Sequence, residues 1–310
     1  MKLSIALLME NNYSRGGRNM IILKNDKLEV HLHPKGAEIH KIIGLEDNMN
    51  YMWKRDKAYW ANSAPILFPI VGKVKNDTYY VDGKEYHLTQ HGFARHNEFE
   101  VEMQNDYEVI FTLDDEKFHD VYPYKFKLYV HYVLNENQLE CHIKVVNKDQ
   151  QMIYFGVGGH PAFACPMYEN ESSNDYYVEF EQPEILNRHL LDCSTSTFTG
   201  EEALLLDNER RFFVRQDLFK DDAVVVDHMK SKSVALKSLN HNKSVTLHMD
   251  GFNFLGIWAT RKVGGLLALE PWRSHADRSD FIGEFKDKDD IVALEQDREF
   301  TCCFGIEIHQ

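Results

Sequence analysis

Between Lys127 and Asn147 the chain reads KLYVHYVLNENQLECHIKVVN, and that pattern restricts the fold more than any other feature. Polar and apolar residues alternate with a period of two on both sides of Asn135-Glu136-Asn137, so each half presents one apolar face as a strand. DTYYVDGKEYHL repeats the plan around Asp82-Gly83, a dipeptide suited to a type I′ turn, and SVALKSLNHNKSVTLHMD repeats it around Asn240 to Lys243. Aromatic and β-branched residues fill these runs, and alanine-rich amphipathic stretches are nearly absent. Short helical turns are predicted only near KAYWANSAPIL and SDFIGEF. No internal repeat and no Pro/Gly/Ser-rich linker interrupts the strands, so a propeller is excluded and one large antiparallel β-sandwich over residues 20–310 is the economical all-β reading.

Composition narrows the function. A formal net charge of −14 without a basic run of five argues against nucleic acid and anionic lipid as partners. No apolar stretch reaches the 18 to 20 residues of a membrane helix. Five cysteines with no C-x-x-C spacing read as reduced thiols in a cytoplasmic protein. The apolar run Leu3 to Met9 is too short for a signal-peptide core, so residues 1–19 are expected to be a mis-annotated start or a loose tail.

Three segments concentrate chemistry. YFGVGGHPAFACP places glycines at 156, 158 and 159 before His160, in a setting with almost nothing else polar. Such a histidine either caps a tight turn in the core or moves a proton on a small molecule that the glycines let approach. LTQHGFARHNEFEV sets His91, Arg95 and His96 around Gly92, and GGLLALEPWRSHADR ends an apolar run on Glu270, next to Trp272. Glu270 is either a rim partner of Arg273 or Arg278, or a desolvated carboxylate whose pKa rises into the range of a general base. Trp272 offers a flat surface for a sugar ring.

Metal and cofactor chemistry find little support. His31 and His33 share a strand face and His91 and His96 are near in sequence, but no zinc-type spacing occurs, and no catalytic metal is expected. GVGGH lacks the strand-turn-helix context of a dinucleotide site, and no nucleophile elbow is present. An acid, a base and a few donors on a β-sandwich remain, an inventory suited to acid–base chemistry on a neutral polyol.

HGFAR, GGHPAF and LEPW, in that order, resemble the aldose 1-epimerase (galactose mutarotase) superfamily over residues 20–310, and most of all its branch with the HGFAR form. That branch includes lactose-operon-associated relatives and hexose-6-phosphate mutarotases. The resemblance implies a β-supersandwich that interconverts the α and β anomers of an aldohexose without a cofactor, in carbohydrate and galactose metabolism, as a monomer or homodimer. It further implies His160 as general acid, Glu270 as general base and His91 as a substrate donor. Alignment on the Asp82-Gly83 hairpin places Lys73 where the family has a sugar-binding arginine, a change that loses the bidentate fork. Asp222, or else Asp221, takes the place of the family's hydroxyl-binding aspartate. Two alternatives stay open: a hexose-6-phosphate 1-epimerase using Arg95, Lys73 and Arg273 as phosphate cations, and a non-catalytic sugar-binding or sensing protein.

Overall fold

A computed structural model describes residues 20–260 and 265–310. The predicted tail at residues 1–19 lies outside them. Among the described residues there are twenty-two strands, six short 3₁₀ turns and no α-helix. Among the described residues no helix is long and apolar enough to cross a membrane. The all-β reading holds.

The hairpins form where the alternation and turn chemistry place them. Thr78–Val81 pairs with Lys84–His87 through Asp82 and Gly83, both at positive φ (51° and 76°), as a type I′ turn requires. Phe126–Asn135 pairs with Gln138–Asn147 with strictly alternating burial on the first strand, and Ser233–Ser238 pairs with Ser244–Asp250. KAYWANSAPIL forms turns without a helix, and SDFIGEF contributes one residue, Phe285, to a single 3₁₀ turn.

Fifteen strands join in one sheet. Its path runs from Ile66–Leu67 through Val157–Gly159, Leu266–Arg273 and Phe254–Trp258 to Glu299–His309, Gln138–Asn147 and Phe126–Asn135. The sheet folds back on itself, because the ring of Phe304 packs against Gly159 although their strands are far apart in the strand order. Between the layers lies an apolar cluster running from Ile21 to Ile308, dominated by inward-facing Val, Ile, Leu and Phe side chains. Burial of such side chains at about 25 cal/mol per Å² of apolar surface drives the closure. The cleft that concerns function opens where the glycine-rich segment meets the strand bearing Glu270.

Candidate active site

Register brings the two principal residues together. Val157 and Gly158 pair with Arg273 and Trp272, while Ala162, Phe163 and Ala164 pair with Ala268, Leu267 and Leu266. Both stretches keep one register, so position 160 falls opposite position 270. The ladder breaks between them because Pro161 has no N–H, and the His160 N–H donates to the Pro65 carbonyl instead (3.2 Å). Opposed residues of antiparallel strands share a face. His160 Nε2 accordingly lies 3.1 Å from Glu270 Oε2, with both side chains buried.

These two groups are poorly satisfied. His160 Nδ1 and Arg95 Nε are shielded from solvent and have no hydrogen-bond partner, and the pair atom Glu270 Oε2 meets His160 Nε2 without good hydrogen-bond geometry. Native structures leave few such atoms, and they collect where a ligand supplies the missing bonds. Burial, helped by the Arg95 charge, pushes the His160 imidazole down to about 3. Burial pushes Glu270 well above the usual carboxylate range, with Asp222 adding to the rise and Arg95 opposing it. Both shifts favour the neutral forms, a protonated Glu270 beside a neutral His160, so the pair carries one exchangeable proton between them. Glu270 is 1% exposed. It is no rim partner of the nearby arginines: Arg273 donates to Asn253, and Arg278 pairs with Asp280.

Around the pair is a cavity of about 270 Å³. That is slightly below the range typical of drug-sized ligands and suits something smaller. His91, Arg95, Asp222 and Trp272 all line it. His91 sits at φ +65° beside Gly92 at +70°. Its Nδ1 accepts the Gly72 N–H (3.2 Å), which leaves Nε2 as the protonated nitrogen. Burial first, and His160 second, hold this imidazole well below its ordinary pKa, so it is a neutral donor. Arg95 forms no ion pair among the described residues, and burial lowers its pKa against the pull of Glu270 and Glu38. Asp222, at φ +94°, accepts from the Ser196 hydroxyl (3.3 Å). Asp221 stands outside the lining, near Lys220 and Cys193. Lys73 is not in the lining either; it follows Gly72, which is, and its ammonium pairs with Asp77 at 3.5 Å.

Aromatic walls complete the cavity and were not legible from the motifs. Trp60 stacks on His160 (ring centroids 4.7 Å apart, planes at 30°), and Trp258 meets the same imidazole edge-on at 5.9 Å. Phe198, Gln90 and Ser196 also contribute. One signal was available: the chain has four tryptophans, and three of them line this cavity. The glycines do something other than admit a ligand. None of the three lines the cavity. A Cβ at Gly159 would stand 2.7 Å from the Phe304 ring, one at Gly158 2.7 Å from the Pro271 carbonyl, and one at Gly156 2.9 Å from Ser274 Cβ. They permit close packing behind the face that carries His160.

The sequence profile of the aldose 1-epimerase family matches residues 19–288. The chain belongs to the aldose 1-epimerase family. It is 34% identical over 268 residues to the chromosomal LacX protein of Lactococcus lactis subsp. lactis, a match covering 81% of this chain and 87% of that protein. Among solved structures it is similar to a galactose mutarotase related enzyme from Lactobacillus acidophilus, with a TM-score of 0.89 and 33% identity over 94% of this chain and 97% of that one. A galactose mutarotase-like protein from Lactobacillus casei superposes with a TM-score of 0.88 at 28% identity, over 94% of this chain and all of the other. These matches bear out the galactose mutarotase-like fold and the superfamily expected from HGFAR, GGHPAF and LEPW.

Proposed function

We propose that the protein is an aldose 1-epimerase that interconverts the α and β anomers of a free aldohexose by acid–base ring opening. One observation carries this reading: a buried, unsatisfied His160–Glu270 pair, 3.1 Å apart, faces a sugar-sized cavity. The proton shared by the pair can sit on either partner without changing net charge. A substrate hydroxyl donating to Glu270 favours the carboxylate and moves the proton to His160. Glu270 then takes the proton of the anomeric hydroxyl while His160 protonates the ring oxygen, and the C1–O5 bond opens. Rotation about C1–C2 presents the other carbonyl face, and the same two groups reverse the transfers to close the ring. Each transfer contributes on the order of 10² to 10⁴ in rate.

The remaining residues position the ring. His91 Nε2–H and Arg95 donate to sugar oxygens, Asp222 accepts from a hydroxyl, and Trp60, Trp258 and Trp272 supply apolar surface. No part falls to Lys73 in direct contact. We infer a cytoplasmic location and a role in galactose metabolism from the same reading, with the five thiols reduced.

Arg95 favours a second reading. A guanidinium that lines the cavity with no ion-pair partner among the described residues is suited to a phosphate, as in a hexose-6-phosphate 1-epimerase. Polarimetry of freshly dissolved α-D-glucose and α-D-galactose tests the first reading. Acceleration of the approach to anomeric equilibrium, insensitive to inorganic phosphate, supports it. Acceleration only with hexose 6-phosphates moves the assignment to the second. Sugar binding without acceleration of either would make the protein a sugar sensor.

A further inference from the structure

Metal-binding chemistry gathers away from the cleft, on the outer face of the sheet. Asp250 stands opposite Cys303, Cys303 opposite His142, and His142 opposite His131. A single row of cross-strand neighbours thus carries a carboxylate, a thiol and two imidazoles on four adjacent strands. Glu140 precedes His142 by two residues on the same strand and therefore shares its face. His142 Nε2 lies 2.9 Å from Glu140 Oε2 and 3.9 Å from Cys303 Sγ. The three ligand atoms all lie within 4.8 Å of one another, and among the described residues no other trio of His, Cys, Asp and Glu does so.

We propose that Glu140, His142 and Cys303 form a binding site for a divalent transition-metal ion of the Zn²⁺ type. Zinc takes thiolate, imidazole and carboxylate at about 2.3, 2.0–2.1 and 2.0–2.2 Å in a tetrahedron. In that geometry ligand atoms stand roughly 3.3 to 3.6 Å apart, between the two separations seen here. An ion entering the trio spreads the imidazole from the carboxylate and draws the thiol in. It enters from a surface depression of about 480 Å³ lined by His142 and Cys303 together with His131 and Asp250. Solvent completes the fourth position, since the Asp250 carboxylate stands outside the 4.8 Å grouping and His131 Nε2 is engaged by Glu108 at 2.8 Å. The cation nearby, Lys144, is occupied by Glu299 and the Tyr129 ring.

Burial and the charges of Glu140 and Asp250 hold the Cys303 thiol up at about 11. A divalent ion offsets those same charges, so it takes the thiolate and releases the proton to solvent. The site is separate from the cleft. Cys303 alternates outward while its neighbour Phe304 points inward against Gly159. Metal here ties Gln138–Asn147 to Glu299–His309 near the middle of the sheet and adds to native-state stability by linkage.

Titration of the full-length, reduced protein with Co²⁺, followed by displacement with Zn²⁺, tests the site. One equivalent of Co²⁺ should give a sulfur-to-cobalt charge-transfer band that Zn²⁺ removes, and Zn²⁺ should raise the melting temperature. Cys303→Ser should abolish the band and the thermal shift, while His142→Ala and Glu140→Gln should each weaken binding by about tenfold or more. Cys193→Ser, which removes the exposed cysteine, should leave both signals unchanged. Absence of the band, or its survival in Cys303→Ser, overturns the proposal. Loss of the band in Cys193→Ser does so as well. Circular dichroism separates a lost site from a lost fold, and Glu140→Gln, at a partly exposed position, provides a variant that does not disturb the core.

Discussion

Two buried ionisable pairs use a carboxylate on or just after the strand Leu266–Arg273, and they are built in opposite ways. Asp277 and Lys288 are each 3% exposed and meet at 2.7 Å. The second carboxylate oxygen of Asp277 accepts the Lys75 N–H (2.8 Å), and its backbone N–H donates to the Lys73 carbonyl (2.8 Å). Neither side chain is left with an orphaned atom. His160 and Glu270 are also buried, with side chains 8% and 2% exposed, yet His160 keeps an unpartnered Nδ1 and the contact between the two lacks good hydrogen-bond geometry. Burial alone therefore does not mark a site; incomplete satisfaction does. The first pair pins the Gly72–Lys75 segment, and Gly72 in turn fixes the tautomer of His91. The satisfied pair is scaffold for the unsatisfied one.

This contrast can be broken at several places. Glu270→Gln and His160→Ala should each lower the rate of anomer exchange by about 10² to 10⁴ while leaving the urea midpoint close to wild type. The pH profile of the wild-type rate carries the same information. As pH falls below about 3, His160 takes a second proton and the base is lost. As pH rises through the elevated range of Glu270, the shared proton leaves and the acid is lost. A broad plateau with declines on both sides is expected, and a rate that rises steadily from pH 5 to 9 would contradict the one-proton pair.

Lys288→Met should act on stability. It strands the Asp277 carboxylate, and breaking a buried pair costs about 3–5 kcal/mol, readable by urea unfolding, with the rate per folded molecule retained under native conditions. Gly159→Ala separates packing from access: the added methyl meets the Phe304 ring, and overpacking costs about 1–3 kcal/mol. Lys73→Ala should matter least. Stability within about 0.5 kcal/mol of wild type and an unchanged KM are expected; a raised KM would return Lys73 to the substrate contacts.

Much of the fold was legible because hairpins are local. Asp82-Gly83 and the alternation of Phe126–Asn135 each encode their own structure within a dozen residues. His160, Glu270, His91, Arg95 and Trp272 could be selected as unusual polar or aromatic residues in apolar or glycine-rich settings, Asp222 rested on the family resemblance alone, and all six line one cavity. What escaped depends on distant contacts. Trp60 sits in an irregular loop whose place is set by Glu38, which accepts from the backbone N–H groups of Ser63 and Ala64, and by the Trp53 indole donating to the Trp60 carbonyl (2.8 Å). The glycines before His160 were read as room for a ligand because their actual neighbour, Phe304, lies at the far end of the chain. Lys73 was placed by alignment on a hairpin, and such an alignment does not say which way a side chain leaves the backbone. The Cys303–His142 row has no sequence signature, since its members meet only through strand register.

The central claim is that His160 and Glu270 act as one proton-transfer unit. Anomer exchange measured by polarimetry for wild type, His160→Ala, Glu270→Gln and the double variant tests it most directly. Groups that work as a unit are not additive, so the double variant should be about as slow as the slower single variant. Single losses that multiply in the double variant, or a single variant with wild-type rate, would contradict the account.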